Sequence, residues 1–177
     1  MDDALTVVVA MNRTVWQGVK GALKDLSEDE IEWRPLPQAN NINVIVRHLR
    51  IEAEWHLASL EHGAPMPTIA VSPSQEAIDA VPLDFETNFR KLEESCARFL
   101  DLLAASTLDT LKQRTAAAYG KRSEVEGRTY LLGFHQAMHL AMHGGQIQSI
   151  RNLYCKTRGQ PARFFPENPT YPKQPAG

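Results

Sequence analysis

Cysteine is almost absent: Cys96 and Cys155 are the only two in 177 residues. Two thiols cannot build a disulfide framework and are too few for a structural zinc knuckle, so both are expected as small core residues. Long apolar runs are missing too. No window reaches the roughly 18 residues that a membrane span needs, and Asp2 and Asp3 stand where a secretory signal would carry Lys or Arg. The expectation is a cytoplasmic protein without a membrane partner. Nor does one sign of charge dominate. Nineteen Lys and Arg face 21 Asp and Glu, a net charge of −2, which offers a phosphate backbone no general attraction and argues against nucleic acid. Internal repeats, low-complexity tracts and sustained strand alternation are also lacking.

What is present is the balance of a globular domain, 43% hydrophobic and 23% charged. The expected organisation is one domain over residues 1–158, followed by a Pro-rich extended arm over 159–177. Four segments carry helical periodicity, so the fold class is all-α. The first follows Leu5, Val8, Val15, Val19, Leu23 and Leu26, with Trp16 beside the stripe. Ser27 and Glu30 then have capping-box spacing, and Pro35 and Pro37 stop the short helix that follows. The second helix is expected from Asn40 or Asn41 to Gly63. From Gly63 to Pro82 four prolines leave no room for a regular element, and a loop that long can run back along a helix. Helices two and three can therefore lie parallel, as in a bundle with a crossover. The third helix runs from Asp84 to Ser106 on Phe85, Phe89, Leu92, Cys96, Phe99 and Leu103. Residues 107–122 stay unassigned, with AAAYGK read as a turn. Ser123 and Glu126 form a second capping box for a helix reaching Cys155. The arm beyond it, with Phe164, Phe165 and Tyr171, is expected either to be disordered or to pack its aromatics on this subunit or a neighbour.

The chemistry concentrates in histidine. His135, His139 and His143 are four apart, so all three fall on one helix stripe together with Leu132, Gln146 and Ile150, where a bundle core should be. Adjacent buried imidazoles need partners, and one divalent metal satisfies two at once. A third ligand has to come from another helix. His48 qualifies, because it shares a face with Val44, Glu52, Trp55 and Ser59; His56 and His62 are read as surface or loop-end residues. A hydrogen-bonded histidine ladder is the competing reading. HQAMH has the outer spacing of a zincin helix, but Gln136 stands where the Glu base is required, which excludes that protease mechanism. No Glu-x-x-His pair exists for a di-iron bundle. The adjacent Gly144 and Gly145 are expected to admit a neighbouring helix.

WRPLPQANNINVIVRHL in the first half and HLAMHGGQIQSIR in the second resemble the DinB/YfiT-like superfamily of metalloproteins over roughly residues 5 to 155. That resemblance implies a four-helix bundle of up-down-down-up connectivity with a long crossover between helices two and three, often a homodimer. It implies metal ligation by His48, His139 and His143, with His135 one turn outside the triad. Gly144 departs from the pattern, which commonly has a charged residue there. Three nitrogen ligands leave open positions on a zinc, nickel or iron ion, and open positions distinguish catalytic from structural sites. Glu52 is the candidate proton acceptor or imidazole-orienting group, and Gln146 the candidate donor to a bound water or substrate. The resemblance implies a small-molecule substrate and either S-transfer from a low-molecular-weight thiol or hydrolysis. The rival is a non-catalytic, stress-related metal or ligand binder.

Overall fold

The computed structural model describes residues 3–66, 84–120 and 128–165, and among these every regular element is helical. Helix α1 spans Asp3–Leu23, α2 Glu28–Glu32, α3 Ile42–His62, α4 Phe85–Ala105, α5 Leu108–Tyr119 and α6 Leu131–Thr157. A 3-10 turn at Arg128–Tyr130 leads into α6.

Local chemistry sets the ends of the helices that matter most. Asn41 accepts the Val44 amide and starts α3, and Gly63 ends it at φ 71°, a left-handed conformation in which a Cβ would be strained. Asp84 starts α4 by accepting the Thr87 amide, and Ser106 closes it. Ser27 accepts the Glu30 amide at 3.3 Å. The Glu30 carboxylate, however, pairs with Arg151 at 2.7 Å, a fully buried guanidinium that also donates to the carbonyls of Ala22 and Lys24 behind α1.

Two boundaries differ from expectation. The segment left unassigned contains α5, whose cap is Thr107 accepting the Thr110 amide. AAAY is therefore helical, and Gly120 caps it at φ 54°. Small residues hide this helix from a periodicity reading, because its buried side chains include Thr115 and Ala118 beside Leu111 and Tyr119. Helix α6 proper begins at Leu131; Ser123 and Glu126 lie outside the described residues, as do 67–83 and Tyr171.

Contacts between helices give their relative directions. Arg50 donates to Asn88 and Glu61 pairs with Arg98, so α3 and α4 run the same way. Asn12 donates to the Gly133 carbonyl and Arg151 to that of Ala22, so α1 and α6 also run together. His48 meets His143, whereas His56 meets His135, so α3 and α6 run oppositely. At Gly133 a Cβ would lie 2.6 Å from Val8 Cγ1, and at Gly144 it would lie 3.1 Å from Val19 Cγ2; at Gly145 it would meet nothing within 4 Å. The close approach expected at the glycine pair therefore holds for Gly144 alone, and the tightest one is at Gly133.

Past α6, Asn152 accepts the amides of Arg163 and Phe164 and donates to the Phe164 carbonyl. Phe164 packs on the core with the Arg151 guanidinium 5.5 Å from its ring centroid, and Phe165 is exposed. The arm thus begins docked on its own subunit. Cys96 and Cys155 are both buried and free, as expected.

Candidate metal centre

The three histidines expected as ligands meet. His48 is at mid-α3, and His139 and His143 are one turn apart on α6. His139 Nε2 lies 3.0 Å from His48 Nε2 and 3.1 Å from His143 Nε2. One ligand atom from each residue falls within 4.8 Å of those from the others, a cluster able to hold a metal ion. Two nitrogens that each bind one ion at about 2.1 Å are separated by roughly 3.0 to 3.4 Å for angles of 90 to 109°. The observed spacings fit that range. The ring planes are inclined at 67° to 90° to one another, which leaves the nitrogens converging rather than the rings stacking.

Burial works against a second proton on each of these rings. Burial, followed by the charge His143 would carry, lowers His48 to about 4. His139 falls to about 2, through burial first and then the mutual repulsion of four neighbouring imidazoles. His143 is also lowered by burial, against an opposing hydrogen bond to Gln146. With their Nε2 atoms unprotonated, the three rings would direct lone pairs at one another at about 3 Å, a conflict that a shared cation relieves. The donor set fits a divalent metal.

Gln146 has a different position from the one expected. It is exposed, not on the buried stripe, and its Oε1 lies 2.8 Å from His143 Nδ1. Accepting that N–H fixes the His143 tautomer with its lone pair on Nε2, which is how outer partners orient metal-binding imidazoles. Glu52, one turn beyond His48 on α3, is buried, and burial raises its carboxyl to about 7. A carboxyl poised there exchanges protons near neutral pH.

Beside this centre lies an open cleft of about 620 Å³ between the connector after α2, the start of α3 and the middle of α6, with Pro35, Asn40, Ile45, Met142, Gln146 and Ser149 in its wall. Gln146 belongs to both the cleft and the histidine cluster.

A model of the mycothiol-S-transferase family matches residues 8–155. The chain belongs to this family. The family is part of the DinB/YfiT-like superfamily that the motifs resemble. A search of curated proteins and one of solved structures found no match.

Cys96 is no nucleophile, since burial pushes its thiol up to about 12. Gln136, in the place of a zincin base, is buried and donates to Cys96 Sγ at 3.7 Å. His56 is not a surface residue. It is fully buried, its Nδ1 donates to the Glu52 carbonyl at 2.7 Å, and its ring lies 4.8 Å from that of His135. The signal was available in the sequence: His48, Glu52 and His56 repeat the four-residue spacing of α6, so they share one stripe. His135, one turn outside the cluster, has Nδ1 2.9 Å from the Tyr119 hydroxyl of α5. Only His62 is exposed as expected. No helix among the described residues is long and apolar enough to cross a membrane.

Proposed function

We propose that the protein is a metal-dependent thiol S-transferase whose ion is held by His48, His139 and His143 inside an up-down-down-up four-helix bundle of α1, α3, α4 and α6. The observation that carries this reading is the convergence of three Nε2 atoms from two helices in a chain of the mycothiol-S-transferase family. The pairwise helix directions support the bundle connectivity. Residues 1–158 form the domain. Cytoplasmic placement and a homodimer belong to the reading by resemblance.

A divalent ion there supplies positive charge that lowers the pKa of a thiol or water beside it. The chain's own residues do the rest. Gln146 holds the His143 ring in its tautomer. Glu52, with a carboxyl near 7, takes the proton lost by the thiol. The sulfur lone pair then forms a bond to the electrophilic carbon of a small molecule, and the leaving group departs with the electrons of the bond it had to that carbon. The open cleft supports an enzyme over a sealed metal binder, since co-substrates need a way in. Hydrolysis would use the same centre, and the family favours transfer.

The test is turnover of an alkylating electrophile with mycothiol as thiol. Consumption of thiol is expected in the zinc-loaded protein and is expected to vanish after chelation and in His139→Ala. Equal rates with and without metal would overturn the proposal.

A further inference from the structure

Beyond the three-histidine cluster, toward α5, a second pair of imidazoles repeats its geometry. The rings of His56 and His135 have centroids 4.8 Å apart at an inclination of 69°. The corresponding values are 4.9 Å and 67° for His48 with His139, and 4.6 Å and 68° for His48 with His143. The repetition follows from two antiparallel helices that each carry polar residues four apart: His48, Glu52 and His56 on α3, and His143, His139 and His135 on α6. At about 1.5 Å per residue, the four to eight residues between the two sets displace the second pair by roughly 6 to 12 Å along the helices. That is too far for its nitrogens to reach the same ion at about 2.1 Å.

Both rings are held as metal-binding imidazoles are held. His56 Nδ1 donates to the Glu52 carbonyl at 2.7 Å, which leaves the lone pair on Nε2. His56 is fully buried, and this Nε2 has no hydrogen-bond partner among the described residues. Burial first, and then the charge His135 would carry, disfavour a second proton on the ring, so protonation does not turn that nitrogen into a donor. The edge-on Phe99 ring, 6.3 Å from His56 between centroids, is apolar and gives it no strong donor either. A buried acceptor in this condition calls for a partner. On the other helix, His135 Nδ1 lies 2.9 Å from the Tyr119 hydroxyl. A hydroxyl accepts as well as donates, so Tyr119 can take the His135 N–H and leave the lone pair of that ring on Nε2 as well. One ring nitrogen engaged by an outer oxygen and the other free is the arrangement that orients ligating histidines.

We propose that His56 and His135 form a second metal-binding site, separate from the three-histidine centre, for a divalent transition ion such as zinc, nickel or cobalt. Imidazole nitrogens favour these ions over magnesium and calcium, which take oxygen ligands. The ion would give His56 Nε2 its partner and tie α3 to α6 at the end where α5 packs. Two imidazoles in place of three, and repulsion from an ion already in the first centre, make it the weaker of the two. It is therefore expected to leave on dialysis and to return when metal is in excess. The site stands whether or not the protein transfers thiols.

Cobalt(II) titration of the metal-depleted protein tests this, with bound cobalt counted by equilibrium dialysis and ligation read from the visible absorption of the ion. Two steps are expected in the wild type, the second weaker by about tenfold or more. In His56→Gln and His135→Asn the first step is expected to stay and the second to weaken by at least about tenfold, since even the loss of an outer partner costs that much. His62→Ala, which lacks only the exposed histidine, should bind both ions as the wild type does. His135 is only partly buried, so His135→Asn decides the case if His56→Gln does not fold. A single ion in the wild type at excess cobalt, with water as the partner of His56, would overturn the proposal. A second step that is unchanged in His135→Asn, or lost in His62→Ala, would overturn it too.

Discussion

At the residue scale, two polar side chains divide the work around the histidine cluster, and each gives a separate experiment. Gln146 touches the centre through His143 Nδ1. Its removal should loosen the metal without abolishing the site. Gln146→Ala is expected to weaken zinc binding roughly 10- to 100-fold, as read by competition with a chromophoric chelator, whereas Gln146→Glu, which still accepts that N–H, is expected to restore most of it. Unchanged affinity in Gln146→Ala would show that the contact does not orient the ring. Glu52 makes the complementary case. Glu52→Gln is expected to leave zinc content at the wild-type level and to lower kcat by about 10² or more, the scale of a lost general base. It should also remove the rise in rate with pH centred near 7. His48, His139 and His143 were legible in the sequence because i, i+4 spacing and motif order are local and countable. The stripe of His56 was countable from the same spacing, but the partners that bury it, His135 and Phe99, come from two other helices. Gln146 was placed in the core because heptad-like counting assigns a stripe and not its edges.

At the element scale, α6 contains three glycines whose surroundings differ, and that difference orders their mutants. Gly133→Ala should put a methyl into Val8 and cost about 1–3 kcal/mol, lowering the melting temperature by about 2–4 °C for each kcal/mol. Gly145→Ala has open space around it and should be neutral or stabilising by up to about 1 kcal/mol through helix propensity. Thermal melts of the two variants check the ordering, and a reversal would contradict the α1 to α6 packing. Glu30 supplies a second element-scale case, since it ties α2 to the fully buried Arg151. Glu30→Ala would leave that guanidinium without its carboxylate and is expected to cost about 3–5 kcal/mol in urea unfolding. The caps of α3 and α4 were readable because Asn41, Gly63 and Asp84 act within four residues of themselves. Helix α5 was not, because its buried face is partly Thr and Ala. The Glu30 to Arg151 pair spans the chain from α2 to α6, and no local pattern announces such a pair.

At the scale of the whole molecule, the bundle keeps neutral imidazoles away from water, and this links its stability to pH. Burial, with the His135 charge adding to it, lowers His56 from 6.5 to about 3 in the folded chain. Between those values the unfolded chain binds a proton that the folded one does not, so stability is complete above about pH 6.5 and declines as pH falls. From pH 6.5 to 5 the loss is about 2 kcal/mol for this one group. Urea midpoints at the two pH values should show it, and His56→Gln should flatten the slope; an equal slope in the variant would assign the acid sensitivity elsewhere. The all-helical class followed from periodicity alone. The arrangement of α5 against α3 and the docking of Phe164 depend on packing that becomes visible only when the helices are assembled.

In the proposed centre α3 and α6 each contribute imidazole to one cation. Metal analysis of the purified, dialysed protein tests it most directly, with His48→Ala, His139→Ala and His62→Ala measured in parallel. About one divalent ion per chain is expected in the wild type and in His62→Ala, and a large loss in the other two. A His48→Ala protein that keeps its full metal content would contradict it.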